Sequence, residues 1–262
     1  MGIEQLKSRK NGGKIACLTA YTTPMAQCLD AHVDVMLVGD SLGMVLYGMA
    51  STREVDLAMM CRHGAAVMRG ANQAWVVVDM PCGTYEDSPE HAYNNAKRIV
   101  DETGCHAVKL EGGQACAGII AHLVGHGIPV IAHIGLLPQE STNSYRVQGR
   151  DETNAQRLIA DARAVEDSGA FACVIEATQA SVAKHITQVL TIPTIGIGAS
   201  KACDGQILVS EDMLGMTQGK LPRFVKCYAD CAGNIQQAAA QYCHDVRIGA
   251  FPDAGHVYGE DA

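Results

Sequence analysis

His106-Ala107-Val108-Lys109-Leu110-Glu111-Gly112-Gly113 sets the terms on which the rest of the chain is read. Its core, Ala-Val-x-Leu, has the character of a short buried strand, and the glycine pair turns the chain behind it. Side chains in a strand alternate between faces, so Lys109 and Glu111 point the same way. An ammonium and a carboxylate on an apolar strand are costly unless they pair or bind something. Both lie at its carboxyl end, where a parallel α/β protein keeps its ligand site. A structural ion pair closing a barrel explains the stretch equally well when it is read alone. The tie breaks because charged strand ends recur along the chain.

Outward from this strand, short apolar runs alternate with helical patterns. Lys14–Ala20, Val33–Gly39 and Ala74–Asp79 precede it as strands. Helices are expected over Thr23–His32, with Pro24 in the first turn, over Arg53–Arg69, and from the Ser88-Pro89-Glu90 start to about Thr103. After it come a helix over Ala115–Gly125, a strand over Pro129–His133, and a long polar loop over Pro138–Arg150 that reads as a candidate lid or binding loop. A helix over Thr153–Ser168, a strand over Ala170–Glu176, a helix over Ser181–Leu190 and a strand over Pro193–Gly198 follow. A weak eighth strand falls at Gln206–Ser210, and the last helix at Asp230–Gly249. Eight alternating units in about 250 residues imply parallel pairing, right-handed crossovers and a (β/α)8 TIM barrel. An open doubly wound sheet is disfavoured by the lack of a G-x-G-x-x-G turn after the first strand. No linker divides the sequence, so residues 1–262 are expected to form one barrel domain, with 1–13 leading into the first strand.

Composition narrows the function. A formal charge of −8 argues against a broad basic surface for nucleic acid. No apolar run approaches the ~20 residues that span a bilayer. The first ten residues lack an apolar signal core, so a cytoplasmic protein is expected. Eleven scattered cysteines without a C-x-x-C pair read as reduced thiols, with Cys17 and Cys173 as small core residues.

Asp40, Asp79, Glu111 and Glu176 close four of the strands, and His133 closes a fifth. In a barrel these ends share one mouth. Several carboxylates brought together repel unless a cation sits among them or some are protonated. Mg2+ suits such a set, because it keeps several waters and needs only one or two direct carboxylates. Taken singly, Asp40 and Asp79 would cap turns, Glu176 would pair with a cation, and His133 would be structural. Five such coincidences on one rim favour function. His122 and His126, four apart on a helix, lack the glutamate of a zinc-protease motif and are set aside.

Several blocks carry a family resemblance. Val38-Gly39-Asp40-Ser41-Leu42-Gly43-Met44, Val78-Asp79-Met80-Pro81, Val108-Lys109-Leu110-Glu111-Gly112-Gly113 and His133-Ile134-Gly135-Leu136 resemble the ketopantoate hydroxymethyltransferases. So do Val147-Gln148-Gly149-Arg150, Ile195-Gly196-Ile197-Gly198-Ala199 and Asp204-Gly205-Gln206-Ile207-Leu208-Val209. The resemblance implies a (β/α)8 barrel, Mg2+ and a homo-oligomer, typically a decamer. It implies transfer of the one-carbon unit of 5,10-methylenetetrahydrofolate to C3 of 3-methyl-2-oxobutanoate, through an enolate stabilised by Mg2+, to give 2-dehydropantoate for pantothenate. By position it makes Asp40 and Asp79 metal ligands that also face the substrate, with Glu111 nearby through water. Ser41, Lys109 and His133 become substrate contacts, and Glu176 the catalytic base.

The chain departs from the family pattern at Thr22, Cys82, the shortened Gln139–Tyr145 segment, Ser200 and the ending Phe251–His256. None of these removes a metal or acid–base residue. Two other readings stay open on the residues alone. One is a Mg2+-dependent carbon–carbon lyase or phosphomutase of the phosphoenolpyruvate mutase/isocitrate lyase type acting on a 2-oxo acid. The other is a non-catalytic barrel that binds a 2-oxo acid.

Overall fold

The computed structural model describes residues 2–141 and 146–259. The chain divides into two compact units, Met1–Ser210 and Glu211–Ala262. The first unit is a closed barrel of eight parallel strands in sequential order. They are β1 Ile15–Thr19, β2 Val35–Val38, β3 Trp75–Asp79, β4 Ala107–Glu111, β5 Val130–Gly135, β6 Ala172–Glu176, β7 Thr194–Ile197 and β8 Gly205–Leu208. β8 pairs with β1 through Cys17↔Ile207 and closes the ring. The run first read as a weak strand is therefore the one that completes the barrel.

Alternation along each strand builds two cores. One set of residues, including Ile15, Val35, Trp75, Val77, Ala107, Ile131, Val174 and Ile207, fills the lumen. The intervening set, including Val38, Val76, Val78, Leu110, Ala132, Ile134 and Ile175, packs outward against helix residues such as Ile99, Ile120, Leu123 and Ile186. Leu6, from the short helix Ile3–Lys7, belongs to the lumen core and stoppers the end opposite the mouth. Lys10 Nζ lies 2.9 Å from Asp204 Oδ2, and Asp204 also accepts from the N–H groups of Asn11 and Thr194, which fastens the N-terminal segment to the bottom of the barrel.

The outer helices begin where local chemistry allows. Ser88 accepts from the His91 N–H, Pro89 occupies the first turn, and the helix Pro89–Thr103 ends on Gly104 in the left-handed region at φ 73°. Two expected starts need correction. The helix expected from Arg53 begins at Leu57, because Asp56 caps it by accepting from the Met59 N–H; Thr52–Glu54 is a separate 3-10 turn. The helix expected from Ala115 begins at Ala117, after a 3-10 turn at Gln114–Cys116. A short helix, Leu42–Val45, had no separate signal in the sequence.

The second unit contains the helix Cys231–Ile248, capped by Asp230 at its start and by Gly249, φ 74°, at its end. All eleven cysteines are free thiols. Among the described residues no helix is long and apolar enough to cross a membrane.

Candidate active site

Because the strands are parallel, the lumen stripes all end at one mouth, and they end in polar groups. Trp75 and Val77 lead to Asp79, Ala107 to Lys109 and Glu111, Ile131 to His133, and Val174 to Glu176. Strand register then sets neighbours side by side: Asp79↔Lys109, Glu111↔His133 and Gly135↔Glu176. Adjacent strands lie about 4.8 Å apart, whereas residues two apart on one strand lie about 7 Å apart. Lys109 and Glu111 therefore pair across strands rather than with each other.

Lys109 Nζ lies 2.8 Å from Asp79 Oδ1. The Asp40 backbone N–H donates to Asp79 Oδ2 at 3.1 Å, bringing the β2 end against the β3 end. His133 stands between two carboxylates, Nδ1 3.3 Å from Glu111 Oε1 and Nε2 3.2 Å from Glu176 Oε2. The Ser41 and Tyr21 hydroxyls are 2.8 Å apart. Asp40, Asp79, Lys109, Glu111 and His133 are buried, while Glu176 is partly open to the mouth. The seven residues singled out in the sequence thus fall into two chains of short contacts, Asp40–Asp79–Lys109 and Glu111–His133–Glu176, with Ser41 next to Asp40.

The electrostatics are unbalanced. Burial, reinforced by the charges of Asp79 and Glu111, pushes the Asp40 carboxyl up to about 7, against the pull of Lys109. Burial also raises Asp79, opposed by Lys109. Glu111 is buried too, but His133, Lys109 and the Gln139 N–H outweigh that and hold it below the usual carboxylate range. Burial and Lys109 work against a charged His133, yet Glu111 and Glu176 raise it to about 9, so the ring is an imidazolium at neutral pH. Asp79, Glu111 and Asp40 together keep the buried Lys109 charged. One ammonium and one imidazolium thus face four carboxyl groups, and the shortfall falls on Asp40 and Asp79, both of which are raised.

Comparison with known proteins gives this geometry a lineage. The model of the ketopantoate hydroxymethyltransferase family matches residues 1–254. The 3-methyl-2-oxobutanoate hydroxymethyltransferase of Bordetella petrii is 52% identical over 259 residues, covering 98% of this chain and 94% of that protein. Its counterpart in Mesorhizobium japonicum is 55% identical over 260 residues, covering 98% and 91%. This chain belongs to the ketopantoate hydroxymethyltransferase family. Among solved structures, a 2,3-dimethylmalate lyase of the PEP mutase/isocitrate lyase superfamily superposes with TM-score 0.64 at 15% identity, covering 99% of this chain and 90% of that one. A phosphonopyruvate hydrolase solved with oxalate and Mg2+ gives 0.62 at 13% identity, covering 98% and 93%. At such identities the likeness is one of fold.

The family blocks land on the mouth, with Asp40 and Ser41 after β2, Asp79 ending β3, Lys109 and Glu111 in β4, and His133 in β5. The donor set suits the cation expected of a ketopantoate hydroxymethyltransferase. Asp40 and Asp79 are buried, joined by the Asp40 N–H on Asp79 Oδ2, and both are raised by burial and by the charge of Glu111. Among the described residues no three acid, imidazole or thiol groups converge as a complete ligand set. Mg2+ does not ask for one, since waters and substrate oxygens fill most of its six positions.

The loop expected over Pro138–Arg150 reaches the site from both sides, although residues 142–145, and with them part of the shortened segment, lie outside the described residues. At one end Gln139 is buried against Asp40 and Glu111. At the other, Gln148 bridges to Thr178, and its N–H donates to the Ala177 carbonyl at 2.7 Å, one residue beyond Glu176. Ala177 takes a positive φ of 42°, an unusual conformation for a side-chain-bearing residue and the point where β6 turns away from the mouth. Gln139, Tyr85 and Tyr21 went unnoticed in the sequence. The one cue was the length of the loop that starts beside Gln139.

Proposed function

We propose that this chain is a 3-methyl-2-oxobutanoate hydroxymethyltransferase. It adds the methylene carbon of 5,10-methylenetetrahydrofolate to C3 of 3-methyl-2-oxobutanoate, with water supplying the hydroxyl, and releases 2-dehydropantoate and tetrahydrofolate. The observation that carries the reading is that Asp40, Asp79, Lys109, Glu111, His133 and Glu176, drawn from five strand ends, meet at one mouth in a chain matched to this family over residues 1–254. Asp40 and Asp79 would hold Mg2+, with Glu111 behind them through water. The bound ion supplies Lewis acidity, which polarises the keto group of a 2-oxo acid and disperses the charge that follows loss of the C3 proton.

The protein's own groups do the rest. Lys109 brings positive charge to the substrate carboxylate, and the Ser41 hydroxyl, 2.8 Å from that of Tyr21, lies beside Asp40 as a further donor. Glu176 is the partly open carboxylate of the set, so it is the one placed to take the C3 proton. The C3–H bond breaks toward Glu176, and its electron pair makes C3 the nucleophile that bonds to the folate methylene as one of that carbon's two C–N bonds breaks and the nitrogen takes the pair. Water then replaces the remaining nitrogen, which leaves the hydroxymethyl group on C3 and frees tetrahydrofolate. His133, an imidazolium fixed by Glu111, holds the Glu176 carboxylate in place. The working form is taken to be a cytoplasmic homo-oligomer, a decamer by family resemblance, which sedimentation of the purified chain would measure.

The test is exchange of the C3 hydrogen of 3-methyl-2-oxobutanoate with deuterated solvent, followed by proton NMR with Mg2+, with a chelator, and with 5,10-methylenetetrahydrofolate. Exchange that needs Mg2+ but not folate, and 2-dehydropantoate only when folate is present, are expected. Folate-independent cleavage of a 2-methyl-branched acid would point to the lyase reading instead, and absence of any turnover to the non-catalytic binding barrel.

A further inference from the structure

The carboxylates at the mouth are gripped from the loop after β5 by one residue, Gln139. Its amide Nε2 donates to Asp40 Oδ2 at 2.8 Å and to the Met80 carbonyl at 3.0 Å. Its Oε1 accepts from the Tyr85 hydroxyl at 2.6 Å, and its backbone N–H donates to Glu111 Oε2 at 3.0 Å. The side chain is buried throughout, so none of these bonds is exchanged with bulk water. The partners fix which way the amide points. Reversed, Oε1 would face a carboxylate oxygen and a carbonyl oxygen at once, two acceptor–acceptor contacts in a buried place. Tyr85 enforces the same orientation by offering its proton to Oε1.

The choice of an amide matters. A lysine or arginine here would neutralise Asp40 and compete with a cation, and an apolar residue would leave the carboxylate free to rotate. An amide occupies one oxygen of Asp40 and leaves the charge in place. Among the described residues it supplies the one side-chain hydrogen bond that Asp40 receives, so Oδ1 remains available.

We propose that Gln139, locked by Tyr85, is the positioning residue of the cation site, holding Asp40 and Glu111 together so that Asp40 presents its free oxygen to the ion. This rests on the reading of Asp40 and Asp79 as ligands of a divalent ion. Gln139 touches neither the substrate nor the reacting atoms in this role. It acts through the carboxylates it orients.

Mn2+ binding to the full chain, read from the electron paramagnetic resonance signal of free Mn2+, tests it. The parent chain, Gln139→Met and Tyr85→Phe are compared, with thermal melting of each in chelator. Gln139→Met keeps the backbone N–H on Glu111 and much of the side-chain volume, so it removes the amide alone. It is expected to raise the Mn2+ dissociation constant about 10–100-fold, the usual effect of losing a group that orients a metal ligand. Tyr85→Phe should move it less, in the same direction. In turnover, the Mg2+ concentration for half-activity should rise while kcat at saturating Mg2+ is largely recovered. A purely structural role would lower the melting temperature and leave the folded protein with the parental Mn2+ constant, which overturns the proposal. If the parent itself takes up no Mn2+, the cation reading fails, and the role of Gln139 falls with it.

Discussion

Lys109→Met removes the ammonium from among the buried carboxylates and nearly preserves the side chain's volume. The ammonium sits 2.8 Å from Asp79 Oδ1, with the two side chains 6% and 3% exposed. At that distance, with an effective dielectric constant of about 20, the attraction is about 6 kcal/mol. Desolvation cancels part of it, and orphaning one member of a buried pair costs about 3–5 kcal/mol in practice. Asp40 and Glu111 face the same ammonium, so its removal also exposes their mutual repulsion. Protonation limits the loss, because burial raises the carboxyls of both Asp40 and Asp79 and either can take up a proton. For a chain of this size each kcal/mol moves the midpoint by about 2–4 °C. In chelator Lys109→Met should therefore melt about 6–20 °C below the parent. Adding Asp79→Asn removes the orphaned charge, so the double variant should lose less than the sum of the two single losses, by at least about 1 kcal/mol. Differential scanning calorimetry of the four proteins, at neutral pH and fixed low ionic strength, measures this. A single-variant shift under 3 °C, or additivity of the two losses, would refute the account of Lys109 as the counter-charge that lets these carboxylates be buried.

Other outcomes follow from the same geometry. Glu176→Gln should slow C3 exchange by about 10²–10⁴-fold, as expected for loss of a general base, with 3-methyl-2-oxobutanoate affinity largely kept; exchange at the parental rate removes Glu176 as base. Gly135→Ala would drive a Cβ into the carbonyl oxygen of Glu176 at a backbone φ of 99°, so we expect about 1–3 kcal/mol of destabilisation and a fall in kcat; an unchanged kcat would show that the β5–β6 contact does not position the base. Asp30 accepts from the N–H groups of Asn72, Gln73 and Ala74. Burial pushes its carboxyl up, but these donors outweigh that and hold it below the usual range. Its contribution is complete above the ordinary carboxylate pKa and is lost as pH falls through the lower folded value, so Asp30→Asn should flatten the acid limb of the melting-temperature profile below about pH 4. Parallel acid limbs in the two proteins would contradict this.

The site was half legible. Asp79, Lys109, Glu111, His133 and Glu176 stand out because an apolar strand that ends in charge breaks its own pattern. Asp40, just past β2, is visible for the same reason. Gln139 and Tyr85 come from polar segments where a polar residue carries no contrast, and nothing local separates them from their neighbours. The misplaced helix starts have a similar cause. The apolar pattern runs through Arg53 and Ala115, and only the Asp56 cap and the turn after Gly113 show where the helical hydrogen bonds begin.

By itself the sequence determined the barrel and the ring of charge at its mouth, because strand alternation and unit repetition are local properties that survive in one dimension. Tertiary structure alone decided who pairs with whom. Lys109 meets Asp79 rather than Glu111, His133 is shared by Glu111 and Glu176, and a loop glutamine reaches back to Asp40. Those partnerships depend on strand register and on closure of β8 against β1, and the contact of Gln139 with Asp40 joins residues 99 positions apart. A neighbour across the sheet is nearer than the next same-face residue along the strand, and no reading along the chain alone contains that distance.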